Sequence, residues 1–460
     1  MATLLPRRIY GIETEYGITC SLKDHRRLTP DELSRYMFRD IVAEFRSSNV
    51  FLPNGGRLYL DVGSHPEYAT AECDSLTDLL AQELAGDSLV NDLGRKAEQI
   101  LAAEEIEATV FVFKNNTDST GNSYGCHENY LIHRKLDYLN HLEGLLPFLV
   151  TRQLFCGAGK ILQTSEGFVF SLSQRADHMW DAVSSATTRS RPMINTRDEP
   201  HADADKYRRL HVISGDSNMS EISMLLKTAT MDLVLAVMEI GGIPSDLRVD
   251  NPMKAIRDVS RDITGSAQVR LLDGRTMTAV AIQRFYYELV QRNLVKHEWE
   301  ISGLHQLALR WWDKVLTAFE IGDFSTLSRT IDWSIKLDLL RAYQERDGSD
   351  FSSPKLAQID LMYHELSSER GIFQLLKSQN RVDTVIDNSQ WEVARGTPPA
   401  TTRANLRGAF VAAASAARAN VAVDWMHLKI NTPVERAVVC SDPFTSLDER
   451  VDDLLAILKN

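Results

Sequence analysis

Hydrophobic and polar residues alternate with a period of about two in short segments of the first half of the chain, which is typical of strands with one buried face. β-Branched and aromatic residues, which favour extended structure, are frequent in the same segments. This pattern predicts strands over residues 8–19, 57–62, 68–73, 109–114, 124–133, 168–173 and 210–214.

Longer segments repeat apolar residues every three or four positions, which predicts helices. The first begins with Thr29 as N-cap and Pro30 at the first helical position, and Glu32 completes a capping box. Apolar residues then follow at helical spacing: Leu33, Met37, Ile41 and Phe45. The same spacing predicts helices over residues 76–103, 221–240, 279–294, 304–319 and 359–376.

The composition becomes polar over residues 381–400 and ends in a Thr-Pro-Pro sequence, which is typical of a linker. The pattern then starts again with a helix over 403–417, strands around 421–430 and 436–440, and a final helix from Ser446. We therefore predict an α+β protein with a large domain over residues 1–385 and a small C-terminal domain over residues 386–460.

The net charge and the cysteine content indicate which partners and which cellular compartment this protein is expected to have. The formal net charge is −12, and an excess of acidic residues argues against non-specific binding to nucleic acid. Apolar runs stay shorter than the roughly 18 residues of a membrane span, so no membrane segment is predicted. The five cysteines show no CxxC spacing, which indicates reduced thiols in the cytoplasm.

Two acidic residues lie close together in the first predicted strand. Glu13 and Glu15 are two positions apart, so they share one face of that strand. A solvated strand face is the ordinary explanation for these two residues taken alone.

The strand over 57–62 strengthens the case for a polar site. Its leucines and valine share one face, whereas Arg57, Tyr59 and Asp61 share the other, and the turn that follows leads to Glu67. Carboxylate oxygens are ligands that suit Mg²⁺, which leaves its other positions to water and phosphates. The residues therefore predict an acid-lined antiparallel sheet that binds Mg²⁺ and a phosphate-bearing ligand.

Two further polar clusters leave alternatives open. In one, His127 and Asn129 share a face and Glu128 and Tyr130 share the other, so one pair must point toward the interior or a site. A hydrogen-bonded core histidine is the alternative for His127. The other cluster is basic and contains candidates for phosphate or carboxylate contact, each with a structural salt bridge as its alternative: Arg189, Arg191, Arg208, Arg209 and His211.

Long motifs spread over nearly the whole chain carry a resemblance to a known family. They are GIETEYG, NVFLPNGGRLYLDVGSHPEYATAECDSL, FKNNTDSTGNSYGCHENYL, TTRSRPMINTRDEPHADADKYRRLHVISGDSNMSE and VDWMHLK. These motifs resemble the Pup ligases, which are carboxylate-amine ligases related to glutamine synthetase and γ-glutamyl-cysteine ligase. The resemblance implies a glutamine synthetase-like fold, in which helices pack on a curved antiparallel sheet and a small C-terminal domain follows.

The same resemblance implies an activity. ATP would phosphorylate the γ-carboxylate of the C-terminal glutamate of Pup, a small protein modifier. A lysine of a substrate protein would then attack the acyl phosphate and form an isopeptide bond, which marks that protein for proteasomal degradation. The expected partners are thus Pup and lysine-bearing proteins, and a monomer is the default expectation.

Carried over by position, the resemblance also implies roles for individual residues. It implies three Mg²⁺ ligands (Glu13, Tyr59 and Glu67), three contacts to ATP (Arg57, Thr70 and Trp425) and one general base (Asp61). Glu67 and Thr70 differ in parity along one strand, so a regular strand cannot direct both side chains to the same face. We therefore expect a β-bulge at this point, or a backbone contact from Thr70.

Three other functions remain as alternatives. The first is the deamidase of Pup, which has the same fold but catalyses hydrolysis instead of ligation. That enzyme carries an extra loop early in the chain. Here only forty-one residues separate Glu15 from Arg57, and one predicted helix occupies them, which favours the ligase. The second is a small-molecule glutamate ligase that works without Pup, and the third is a noncatalytic adaptor that binds Pup.

Overall fold

A computed structural model of the chain describes residues 3–23, 27–61, 63–118, 121–134, 138–186, 191–432 and 435–459. The strands within these ranges are β1 (Thr3–Leu4), β2 (Tyr10–Glu15), β3 (Gly17–Leu22), β4 (Arg27–Leu28), β5 (Asn49–Phe51), β6 (Arg57–Leu60), β7 (Pro66–Ala69), β8 (Ala108–Phe113), β9 (Cys126–His133), β10 (Lys160–Thr164), β11 (Gly167–Ser171), β12 (Asp181–Ser184), β13 (Pro192–Asn195), β14 (Tyr207–Val212), β15 (Gln268–Arg270), β16 (Thr276–Thr278), β17 (Trp299–Glu300), β18 (Val421–Val423), β19 (His427–Ile430) and β20 (Arg436–Val439).

The helices of the same ranges are α1 (Pro30–Met37), α2 (Arg39–Phe45), α3 (Leu76–Ala103), α4 (Tyr138–Thr151), α5 (Gln153–Cys156), α6 (Glu221–Glu239), α7 (Pro252–Arg261), α8 (Ala279–Lys296), α9 (Gly303–Ile321), α10 (Asp332–Asp347), α11 (Pro354–Met362), α12 (Ile372–Ser378), α13 (Asn388–Ala394), α14 (Ala404–Ala417) and α15 (Glu449–Lys459). Among the residues described, none of these helices combines the length and apolarity that crossing a membrane requires.

An eight-stranded sheet dominates the fold, with the strand order β12-β13-β14-β9-β2-β7-β6-β5. Its neighbouring strands run antiparallel, apart from the parallel pair β12–β13 at one edge. The predicted α+β class, an antiparallel sheet with packed helices, is confirmed, and the parallel edge pair is the one departure from it.

Helices cover one face of this sheet. All residues of α6 from Glu221 to Met238 are buried, so this helix lies inside the molecule. The main core joins it to inward-facing residues of β2 and β9, among them Tyr10, Ile12 and Tyr130. The residues at alternate positions of these strands therefore lie on the opposite face, where they are only partly buried.

Local signals predicted some element boundaries and missed others. The capping box at Thr29 is present, and α3 covers the predicted residues 76–103. The predicted helix over 359–376 is wrong, because the chain leaves α11 after Met362 and pairs with the edge of β8 before α12 begins. The Lys114 amide donates to the His364 carbonyl (2.9 Å), and the Leu366 amide donates to the Val112 carbonyl (3.0 Å).

The C-terminal segment forms a core of its own from α14, β18–β20 and α15. The predicted linker contains α13, and its backbone carbonyls accept hydrogen bonds from the turn between β5 and β6 and from α3. Asn54 donates to the Ala394 carbonyl (3.0 Å), and Gln82 donates to the Thr397 carbonyl (3.3 Å). The domain boundary at residues 385 and 386 stays a prediction.

Candidate active site

The open face of the large sheet carries the acidic residues. Along β2, Tyr10, Ile12 and Thr14 are buried toward the helices, whereas Glu13 and Glu15 lie on the other face. The period of two that placed these two acids on one face is therefore confirmed.

Strand register places three polar residues in one row across this face. Glu67 of β7 pairs directly with Glu15 of β2 on one side and with Tyr59 of β6 on the other. The Tyr59 hydroxyl donates a short hydrogen bond to Glu67. Asp61 follows the end of β6, and its carboxylate comes together with those of Glu15 and Glu67, since their oxygens lie within 4.8 Å of one another. We call Glu15, Asp61 and Glu67 the acid group.

The carboxylates of the acid group form no ion pair with a lysine or arginine in the described part of the chain. Burial, followed by the charges of Glu13 and Glu15, raises the pKa of Glu67 well above its usual value. Burial and the charges of Glu13 and Glu67 likewise raise the pKa of Tyr59. Among the residues described, no lysine or arginine forms an ion pair with Glu67. Buried oxygens that repel one another in this way fit a bound cation such as Mg²⁺.

A second group of possible ligands lies beside the first. The Glu13 carboxylate and the rings of His127 and His211 place one ligand atom each within 4.8 Å of one another. His127 Nδ1 lies 3.2 Å from Glu13 Oε2, and Asn129 donates to Glu13 Oε1 (3.0 Å). We call Glu13, His127 and His211 the imidazole group.

The low pKa values of Glu13 and His211 favour the deprotonated forms that bind a cation. Burial opposes the charge on Glu13, but the hydrogen bond from His127 and the charge of Arg209 hold its pKa well below the usual value. Burial, with His127 and Arg209 nearby, lowers the pKa of His211 to about 3 despite the attraction of Glu13. The His211 ring is thus neutral at pH 7, and its buried Nε2 has no hydrogen-bond partner in the described part of the chain.

The sequence-predicted metal ligands are divided between these groups. Glu13 belongs to the imidazole group, whereas Glu67 belongs to the acid group and accepts the bond from Tyr59. Asp61, the predicted base, lies in the acid group. Glu15, His127 and His211 were not among the predicted ligands, although the period-two pattern had already placed Glu15 beside Glu13.

A β-bulge brings Thr70 to the same region. Glu13 pairs with Ala69 and Tyr10 pairs with Cys73, so three residues after β7 stand opposite two residues of β2. The Thr70 amide donates to the Ile12 carbonyl (2.9 Å), and its hydroxyl accepts from the Ile12 amide (3.1 Å). The expected bulge is confirmed, and it solves the parity problem between Glu67 and Thr70.

A cleft begins at this bulge. Glu13, Thr70, His201, Arg403 and Trp425 are among its lining residues. An adjoining cleft shares His201 and Trp425 with it and extends to Arg57. The three predicted ATP contacts, distant in sequence, therefore line two adjoining clefts, the first of which also includes Glu13 of the imidazole group.

Aromatic contacts shape the outer part of this cleft. The Arg57 guanidinium lies 4.3 Å from the centroid of the Tyr59 ring, and its Nε donates to Asn49 (2.7 Å). The Trp425 ring meets Phe51 edge-on, with 5.0 Å between centroids. A flat, partly apolar cleft of this kind suits an aromatic base.

The inner wall of the cleft contains a buried ion cluster that we call the Glu72 cluster, made of Glu72, Arg403 and Arg407; Glu72 and Arg403 line the cleft, and Arg407 lies behind them. Glu72 accepts from Arg403 Nε (2.8 Å) and from Arg407 Nη1 (3.0 Å), with a shorter bond from Arg407 Nη2. Burial alone would raise the pKa of Glu72, but the charges of Arg407 and Arg403 lower it to about 2.

The low pKa of Glu72 predicts a pH-dependent stability. A carboxyl whose pKa falls on folding stabilises the native state above its unfolded pKa of about 4.3, and this contribution is lost as the pH falls toward the folded value. Glu72→Gln is expected to lower the free energy of unfolding by about 3 kcal/mol at pH 7. In urea titrations the difference from wild type should shrink between pH 7 and roughly pH 3.5. An equal difference at both pH values would contradict this interpretation.

Arg175 is a buried arginine that the sequence analysis did not single out. It is 3% exposed, and it donates to the Tyr124 carbonyl and to the Ser123 hydroxyl (3.4 Å). It forms no ion pair with a carboxylate of the described residues, and its Nε has no partner there. Burial consequently lowers its pKa, although Glu15 and Asp216 attract its charge. No local sequence pattern signals such a residue, because its isolation depends on long-range packing.

The basic candidates from the sequence have different positions. Arg209 lies on the site face, 3.8 Å from Glu13, and His211 belongs to the imidazole group. Arg208 points to the helical face, where it lies 4.5 Å from the Tyr138 ring, so it is not a site residue. Arg191 is exposed, and Arg189 lies outside the described residues.

Gly125 gives the two ligand groups the space to approach each other. A Cβ at this position would collide with Glu15 Oε1 and would lie 2.5 Å from His127 Nε2. Gly125→Ala is therefore expected to raise the Mg²⁺ concentration for half-maximal activity by about tenfold, as displaced ligand supports commonly do. Measured initial rates against Mg²⁺ concentration test this. Gly303→Ala, where no atom lies within 4 Å, is the control, and an unchanged Mg²⁺ dependence of the Gly125 variant would contradict the prediction.

Comparison with solved structures shows that this chain has the fold of the Pup ligases. A structure titled as the complex between prokaryotic ubiquitin-like protein Pup and its ligase PafA superposes with a TM-score of 0.94 and 45% sequence identity, covering 99% of this chain and 92% of that one. A structure of the Pup ligase PafA in complex with ADP gives a TM-score of 0.85 and 46% identity, covering 94% of both chains.

Sequence comparison leads to the family. The profile of a family described as "Pup-ligase protein" matches residues 8–429. The Pup–protein ligase of Actinosynnema mirum is 54% identical over 454 residues, which are 99% of this chain and 100% of the relative. That of Mycolicibacterium vanbaalenii is 54% identical over 452 residues, 98% and 100% of the two chains. The chain belongs to the Pup-ligase family.

Proposed function

We propose that this protein is an ATP-dependent ligase that joins the C-terminal glutamate of Pup to lysines of other proteins by an isopeptide bond. The observation that carries the proposal is the meeting, on one sheet face, of two cation-ligand groups with a cleft lined by Thr70 and Trp425. The full-length similarity to relatives named Pup–protein ligase supports it.

The residue roles that we propose are those that the family resemblance implies, and the placement of these residues supports them. Arg57, Thr70 and Trp425 contact ATP, with the base in the cleft and the phosphates directed toward the acids. Glu13, Tyr59 and Glu67 are Mg²⁺ ligands, and Glu15, His127 and His211 complete the two groups to which they belong. Mg²⁺, when bound, neutralises charge on the phosphoryl group and orients it for transfer.

Asp61 acts on the attacking amine. A lysine side chain has a pKa of about 10.4, so a neutral amine at pH 7 costs roughly 4–5 kcal/mol. Asp61 accepts the proton as the nitrogen attacks the acyl phosphate, which removes much of this cost from the transition state. Asp61 follows the end of β6 as a member of the acid group, and it is only partly buried, which leaves it accessible from solvent.

Arg175 holds an anionic oxygen of the reacting group. It is a buried cation without a carboxylate partner among the described residues, and Glu15 of the acid group is the largest attraction on its charge. The transferred phosphoryl group, and then the acyl phosphate, supply negative charge at that position. A guanidinium fixed before the reaction stabilises such charge without reorganisation.

The test is incubation with ATP, Mg²⁺, Pup ending in glutamate and a lysine-bearing protein. The proposal predicts a covalent conjugate, ADP and phosphate in equal amounts, and no product after chelation of divalent cations with EDTA. Release of Pup from conjugates as the dominant activity would identify the deamidase, and ligation of free glutamate without Pup would identify the small-molecule ligase. Binding of Pup without ATP turnover would identify the adaptor.

We also propose a cytoplasmic location. All five cysteines are buried and none is paired in a disulfide. Free thiols persist in a reducing compartment, which supports the proposal.

A further inference from the structure

The Glu72 cluster connects segments that are far apart in the chain. Glu72 lies two residues after the bulge at Thr70, and the Thr402 hydroxyl donates to its carbonyl (2.8 Å). Arg403 and Arg407 lie about one helical turn apart at the start of α14, so both reach Glu72 from the same side. The three side chains are at most 9% exposed, and the cluster carries a net positive charge.

Both arginines use their remaining N–H groups on backbone carbonyls around the cleft. Arg403 donates to the Cys440 carbonyl (2.9 Å) and, through a shorter bond, to the His201 carbonyl. Arg407 donates to the Gly55 carbonyl (2.9 and 3.1 Å) and to the Trp425 carbonyl (3.1 Å).

Two of these carbonyls belong to residues that line the cleft, His201 and Trp425. The Arg407 guanidinium also lies 4.8 Å from the centroid of the Trp425 ring. Glu72 is the carboxylate to which both arginines are hydrogen-bonded, and it fixes their positions relative to each other. If it becomes neutral, two buried positive charges repel and their shared acceptor is weakened, so the carbonyls that they fix can move.

We infer that Glu72 is a positioning residue for nucleotide binding: through Arg403 and Arg407 it fixes the loop at His201 and the C-terminal segment at Trp425 as walls of the nucleotide cleft. The inference rests on the proposed function only in taking this cleft as the nucleotide site. The inference also assigns a role to the C-terminal segment: its docking to the sheet forms one wall of the nucleotide cleft.

The test compares ADP binding with stability in matched variants. Glu72→Gln is expected to raise the Kd for ADP, measured by titration calorimetry, by about tenfold, the effect of one charged hydrogen bond lost. The kcat at saturating ATP should change far less than the KM for ATP, because the variant keeps the groups on the open sheet face. Glu221→Gln is the control: Glu221 is 2% exposed and accepts from Lys377 (2.8 Å), but it does not line the cleft. It should lower the melting temperature and leave the Kd for ADP unchanged.

Each outcome decides the inference. A folded Glu72→Gln variant with unchanged Kd overturns it, and so does an equal rise in Kd for Glu221→Gln, which would indicate general loosening. If Glu72→Gln does not fold, Arg407→Lys carries the test, since it keeps the charge but loses the fork that reaches Gly55 and Trp425. An unchanged Kd for that variant overturns the inference as well. Wild-type protein that binds no ADP would instead contradict the proposed function.

Discussion

Asp61→Asn is expected to lower the rate of Pup conjugation to lysine by about 10²–10⁴-fold, the range for loss of a general base. The amide has nearly the shape of the carboxylate but cannot take the proton of the attacking amine. Binding of ADP and of Pup should stay close to wild type, because Asp61 lies outside the cleft that holds Thr70 and Trp425. Single-turnover conjugation assays and binding titrations measure the two effects separately.

A change of nucleophile makes this test specific. Hydroxylamine is already neutral at pH 7 and needs little help from a base. The Asp61 variant should therefore retain much of its reactivity with hydroxylamine while it loses its reactivity with lysine. Equal losses with both nucleophiles would show that Asp61 acts earlier, in metal binding or phosphorylation, and our assignment of the base would be wrong.

Arg175→Met is expected to lower kcat by about 10²–10³-fold, comparable to the loss of a donor that stabilises transition-state charge. The same change should leave the melting temperature unchanged or raise it. Arg175 is buried without an ion-pair partner among the described residues, so its removal relieves a desolvation cost. The Tyr124 carbonyl, which it contacts, also accepts from Asn116 (3.2 Å) and stays hydrogen-bonded.

Arg152→Met provides the contrast. Arg152 is 2% exposed and forms a bidentate ion pair with Glu128 on the helical face of β9. Its loss leaves a buried carboxylate uncompensated and should cost about 3–5 kcal/mol of stability. If Arg175→Met destabilises the fold to the same extent, Arg175 is a structural residue, and its assignment to an anionic group fails.

Local patterns in the sequence were sufficient for part of this site. The alternation in β2 placed Glu13 and Glu15 on one face, an inference that uses only the geometry of one strand. The parity conflict between Glu67 and Thr70 came from the roles that the family resemblance implies, and it called for a bulge or a backbone contact from Thr70; the structure contains both. The pairing of β9 with its neighbours then decided which polar pair faces the site: His127 and Asn129 do, whereas Glu128 is buried against Arg152.

The remaining features depend on contacts between distant segments. The helix predicted over 359–376 is interrupted because its middle pairs with β8, an edge that the local period cannot reveal. Arg175 carries no motif of its own, and its significance is that it forms no ion pair with a carboxylate of the described residues. Trp425 and Thr70 line the same cleft because the C-terminal segment docks on the sheet, and the family resemblance, not the spacing of residues, connected these two positions.

The most direct test of the account is a crystal structure of the protein with ADP and Mn²⁺, in which anomalous scattering locates the cation. We predict metal positions at about 2.0–2.3 Å from carboxylate oxygens of Glu67 and Glu13, with the adenine in the cleft between Thr70 and Trp425. Nucleotide bound elsewhere, or acid and imidazole groups that hold no metal in the presence of ADP, would contradict it.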